Sequence, residues 1–179
     1  MTTGLRRTAV LALAGALGCN GGLEPAPTCS QGFVGICGTV TFEGTEPDST
    51  DGVFIVAYST FPQSRNDLLT FQPFPPPPPL ARPFTGSRVY TLPLPTGRYE
   101  WVVAVWKKVG SFAPGFSNAD TLLKEAGYYR SNSDTSSHGS GIVTVSGAGA
   151  GAGAASIDFV IDFTNMHSIS SYFPAPPEP

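Results

Sequence analysis

Three cysteines, two histidines and 13 carboxylates are the residues of this 179-residue chain that could do chemistry. Catalysis would need a nucleophile beside a base, paired carboxylates in a pocket, or a metal cluster. The histidines offer none of these. His138 falls in the polar stretch 131–141 and His167 near the C-terminal end, with no His-x-x-x-His spacing between them. Asp158 and Asp162 share one face of a strand pattern, about 13 Å apart along it, too far to act as one acid–base pair. Glu46, Asp48 and Asp51 crowd a turn and could offer oxygens to calcium, but their spacing fits no known loop, and a solvated turn is the simpler reading. No glycine-rich phosphate loop precedes a helix. The residues therefore predict no catalytic group, no metal site and no cofactor. A net charge of −3 predicts no attraction to nucleic acid.

The cysteines carry more. Arg6 and Arg7 precede an apolar run, Thr8–Gly18, about half the roughly 20 residues that span a bilayer. The run reads as the h-region of an export signal. Ala16-Leu17-Gly18-Cys19 resembles the bacterial lipobox, with Ala16 and Leu17 in swapped order. That resemblance implies cleavage after Gly18, a lipid on Cys19 and attachment to a membrane. Asn20 after the cysteine implies sorting to the outer membrane of a double-membrane bacterium, on its periplasmic or its surface side. Each acyl methylene buried in the bilayer adds about 0.8 kcal/mol to the anchor. Cys29 and Cys37 remain as an even pair. In an oxidising compartment they are expected to form a disulfide worth about 2–3 kcal/mol for so short a loop. Two free thiols, or a metal pair with no His or third Cys nearby to complete it, are the alternatives.

The aromatic residues are the remaining candidates. Trp101, Trp106, Tyr128 and Tyr129 could line a surface for a sugar or peptide, since rings suit both. In a strand-rich domain such residues more often fill the core. Pro75–Pro79 must be extended and cannot donate backbone hydrogen bonds. It reads as a docking motif or, more simply, a stiff exposed loop.

Strand patterns must position these residues. Alternation or two-faced apolarity marks Gly38–Gly44, Val53–Thr60, Arg88–Leu94, Tyr99–Val109 and Ile142–Val145, with a short segment at Ala126–Arg130. Ile157, Phe159, Ile161 and Phe163 form the apolar face of a last strand. In Tyr99–Val109, Tyr99, Trp101, Val103 and Val105 take one face and Val102, Ala104 and Trp106 the other, so both faces should be covered. Lys107 and Lys108 would form a charged edge against aggregation. The one helix candidate is Asn118–Glu125.

The pattern predicts an all-β fold, an antiparallel β-sandwich of about seven strands. Its parts would be a cleaved signal peptide (1–18), a lipid-anchored flexible tether (19–37) and a sandwich domain (38–165). A Pro-rich loop (72–83) and a Gly/Ala segment (147–154) interrupt the domain, and a Pro-rich tail (166–179) follows it. Tyr90-Thr-Leu-Pro-Leu-Pro-Thr-Gly97-Arg-Tyr99, with Gly38-Thr-Val-Thr-Phe42 upstream, resembles carboxypeptidase regulatory-like domains, of the transthyretin-like (prealbumin-like) and broadly Ig-like sandwiches. The resemblance implies a non-catalytic binding or spacer module. On the sequence alone the chain is expected to be an envelope lipoprotein, not an enzyme, meeting an envelope protein, peptide or carbohydrate. The alternatives are an envelope enzyme or accessory domain with its site in loops 61–87 and 111–141, or a carrier of a small hydrophobic ligand.

Overall fold

The computed structural model describes residues 29–111, 117–131, 139–147 and 153–173. Cys19 and the leader, His138, residues 148–152 of the Gly/Ala segment and the last six residues lie outside the described residues. Along the chain run β1 (Gly35–Glu43), β2 (Thr50–Tyr58), a 3-10 turn (Arg65–Thr70), β3 (Gly86–Pro93), β4 (Gly97–Tyr99) and β5 (Trp101–Lys108). Then come α1 (Ala119–Leu122), β6 (Leu123–Tyr128), β7 (Val143–Val145), β8 (Phe159–Asp162), β9 (His167–Ser168) and α2 (Ile169–Tyr172). The two helices are single turns, so the fold is all-β in substance.

Three sheets form, with strand orders β3-β1-β8, β2-β5-β6-β9 and β4-β7. Among the described residues, the strand pairs are antiparallel except β1–β8, which is parallel from Val40↔Phe159 to Glu43↔Asp162, and a lone parallel bridge joins Ile36 to Ala154. The wholly antiparallel expectation is corrected there: the more than 100 residues between β1 and β8 leave ample chain for the crossover a parallel pair needs.

Alternation places one apolar core between the two larger sheets. Ile36, Val40, Leu92 and Ile161 come from the three-stranded sheet, and Val53, Ile55, Val102 and Trp106 from the four-stranded one; all are buried. Each such side chain contributes roughly 1.5–3 kcal/mol on leaving water. The sheets also meet by backbone. A Cβ at Gly127 (φ +151°) in β6 would stand 1.9 Å from the Val160 carbonyl oxygen of β8, so only glycine permits this approach.

Several boundaries shift. Cys29 and Cys37 are disulfide-bonded, with Cα atoms 5.4 Å apart, and Gly35–Cys37 already belongs to β1, paired with Thr91–Pro93. The structured unit thus begins within the stretch read as tether. Helical periodicity at 118–125 survives only as α1, because Leu123–Glu125 pair with β5 instead. The strand expected from Tyr99 breaks at Glu100: Tyr99 pairs with Val143 in the small sheet and faces the core, so it does not share Trp101's face. Lys107 and Lys108 guard no edge, since β5 lies between β2 and β6. The stretch read as tail contributes β9, which pairs with Lys124 and Glu125. The proline run lies along β2, the outermost strand on its side of the sheet. Gln72 and Ala57 exchange backbone hydrogen bonds and the Leu80 amide donates to Val53, leaving the prolines, which have no N–H to pair, in between.

Candidate functional site

Strands β2 and β5 are apolar on both faces, and the second face must also leave water. Phe54, Val56 and Tyr58 of β2 lie beside Trp101, Val103 and Val105 of β5 on the outer face of the four-stranded sheet. Three separate segments rise over them. The 3-10 turn and its exit bring Leu68 and Phe71, the proline loop brings Phe74 and Pro76, and the C-terminal turn brings Tyr172 and Phe173. Between them is a groove of about 360 Å³, within the roughly 300–1,000 Å³ range of small-molecule sites.

The walls are tied by specific contacts. The Tyr58 hydroxyl donates to the Leu68 carbonyl at 3.1 Å, and burial pushes that phenol well above the usual tyrosine range. Arg65 donates from Nε to the Phe173 carbonyl at 3.1 Å and pairs with Asp120 at 2.5 Å. One guanidinium so fastens the 3-10 turn, α1 and the C-terminal turn together. The Trp101 ring lies 5.3 Å from Tyr58, 5.0 Å from Phe61 and 5.7 Å from Tyr172 between centroids. The Phe61 amide donates to Glu100 and, with Arg98, holds that carboxyl below the usual range.

Among the described residues, Glu125, His167, Lys107 and Lys124 bring charge or basicity to this apolar setting. Glu125 of β6 is 7% exposed; its Oε2 accepts from the Tyr172 hydroxyl at 2.9 Å and meets His167 Nδ1 at 2.8 Å. Burial first, and the Glu125 charge second, raise the Tyr172 phenol, so it stays a donor. A bulge in the β5–β6 ladder between Ala104 and Val105 sets Glu125 opposite Val105, on the groove face.

The structure splits the four aromatic candidates. Trp101 packs in the outer cluster with Tyr128 against it, their rings 6.4 Å apart. Trp106 points the other way into the core, where its indole N–H donates to the Thr50 hydroxyl at 2.8 Å. Tyr129 packs against the core too. The acidic turn is engaged by cations of the chain itself, Glu46 with Arg82 and Asp51 with Lys107. Among the described residues, no three His, Cys, Asp or Glu side chains converge as metal ligands. Asp158 accepts from the Thr39 amide, and Asp162 from the Thr164 amide and hydroxyl.

Sequence reasoning missed Tyr58, Leu68, Phe71, Glu125 and Tyr172 as site residues. The available signal was the second apolar face of β2 and β5, which demands a cover. Comparisons with protein-family models, with curated proteins and with solved structures return no match for this chain.

Proposed function

We propose that this chain is a lipid-anchored module of the bacterial cell envelope that holds a small apolar ligand in its outer-face groove. The groove carries the reading: an apolar cleft of about 360 Å³, walled by three segments far apart in sequence, serves a binder and has no use in a plain spacer. The residues of loop 61–87 that reach it, Leu68, Phe71, Phe74 and Pro76, are apolar, which favours a carrier over an enzyme. Two sheets of three and four strands around one core support a sandwich of the kind that Tyr90–Tyr99 resembles. Export and anchoring rest on the apolar leader and Ala16-Leu17-Gly18-Cys19. The Cys29–Cys37 disulfide is in keeping with an oxidising compartment.

Two measurements test this. Replacing Cys19 with alanine should release a folded protein from the membrane fraction; retention at the membrane would overturn the anchor. On that released protein, octyl glucoside below its micelle concentration should change tryptophan emission saturably. A linear, non-saturating response would overturn the ligand-binding reading.

A further inference from the structure

We infer that the groove selects an organic cation, an amine or quaternary ammonium on an apolar body, with Glu125 as its counter-ion. The inference rests on the ligand-binding reading and adds the ligand's charge.

A carboxylate this deeply buried ordinarily has a basic side chain against it, because an unpaired buried charge is costly. Glu125 has none. Its two partners, His167 and the Tyr172 hydroxyl, both meet Oε2, and neither is a permanent cation. The basic groups around Glu125 are engaged elsewhere. Lys107 is held by Asp51 and the Gly110 carbonyl. Arg65 is taken by Asp120 and Phe173. Lys124 lies over the Trp106 ring at 5.9 Å, and Arg130 over Tyr128 at 4.3 Å.

Lys107 and Lys124 also line the groove, Lys107 already paired with Asp51, so the pull on a cation comes from the neighbouring cleft and from the aromatic rings. Glu125 and His167 also border a second cleft, of about 400 Å³, where Glu43, Asp158 and Asp162 face a single arginine, Arg130. The summed charge there draws cations toward Glu125. On the groove side, Trp101, Tyr58, Phe71 and Tyr172 offer ring faces, whose negative quadrupole attracts a desolvated ammonium within about 6 Å. A fatty-acid carboxylate placed at Glu125 would meet a like charge. An uncharged chain would leave the Glu125 carboxylate with His167 and the Tyr172 hydroxyl alone.

The test uses the full chain carrying Cys19→Ala and three probes of equal tail length: octyltrimethylammonium, octyl glucoside and octylsulfonate. Each is titrated below its micelle concentration and followed by tryptophan emission and calorimetry. The ammonium should bind about ten-fold more tightly than the glucoside, and the sulfonate more weakly than either. Adding Glu125→Gln should abolish the ammonium's advantage over the glucoside within that variant, with far-UV circular dichroism confirming the fold. An ammonium that binds no better than the glucoside overturns the cation inference and leaves the groove a binder of neutral ligands. Failure of all three probes to saturate overturns the binding reading, and the inference with it. The comparison of probes on the Glu125 protein decides the matter even if Glu125→Gln does not fold.

Discussion

Trp101 and Trp106 lie five residues apart on one strand and are almost equally hidden, at 4% and 3% exposure, yet their surroundings differ in kind. Trp106 enters a core shared by both large sheets, and its one polar atom is satisfied by Thr50. Trp101 faces the other way, where its cover comes from the Phe61 region, Tyr128 and the C-terminal Tyr172. The inner cover is strand against strand. The outer cover is made of turns and loops around a groove. Equal burial therefore conceals two roles, and the composition of the cover separates them: a face closed by strands serves stability, and a face closed by loops can open.

Truncation is the strongest way to break this contrast. Trp106→Ala should cost about 3–5 kcal/mol in urea unfolding, as large-to-small changes in closed cores do. It would also leave the buried Thr50 hydroxyl without its indole donor. Trp101→Ala should cost distinctly less, about 1–3 kcal/mol, because the space it leaves merges with a groove that water can reach. The same change should abolish saturable binding of an octyl chain. Equal costs for the two variants would make the outer face a second closed core and remove the distinction.

Much of the inner face was legible from the residues. Alternation in Ile157–Phe163 and in Val102, Ala104 and Trp106 predicts which side chains are buried, and those side chains are buried, because a strand's period of two leaves little freedom. The Cys29–Cys37 bridge was legible as well, from an even pair at short spacing. The outer face was half legible. That Trp101 and Val103 need a cover follows from their apolarity, but what covers them depends on contacts such as Arg65 with Phe173, 108 residues apart. Glu125 was hidden for a related reason. Helical periodicity at 118–125 competed with strand pairing, and only the bulge opposite Ala104 and Val105 turns its carboxylate to the groove.

Two tyrosines sharpen the contrast without any substitution. Tyr90 donates to the Ile157 carbonyl on the inner side at 2.8 Å, and Tyr58 to Leu68 on the outer side at 3.1 Å. Burial raises both phenols above their ordinary value. The unfolded chain then gives up these protons first, so the stability they confer is intact below about pH 10 and falls as the pH rises further. Alkaline titration followed at 295 nm should show both ionising together with unfolding. Reversible ionisation of one tyrosine before unfolding, lost in Tyr58→Phe, would show that the outer cover opens while the core stays closed. Its loss in Tyr90→Phe instead would reverse the assignment of the two faces.

The smallest effect should come from the latch that closes the outer cover. Tyr172→Phe keeps the ring against Trp101 but removes the donor to Glu125. One hydrogen bond to a charged group contributes about 1.5–3 kcal/mol at most, and water reaching the groove can replace part of it, so the global loss should stay near 1 kcal/mol. The local consequence should be larger than the global one. Residues 167–173 are held by the short β9 pairing, by Arg65 at Phe173 and by this hydrogen bond. Amide exchange across 167–173 should therefore speed up several-fold in Tyr172→Phe while the amides of β1 and β5 keep their protection. Uniform acceleration across all of these strands would mean that the C-terminal turn and the core open as one unit, and that the groove's cover is as rigid as the sheet beneath it.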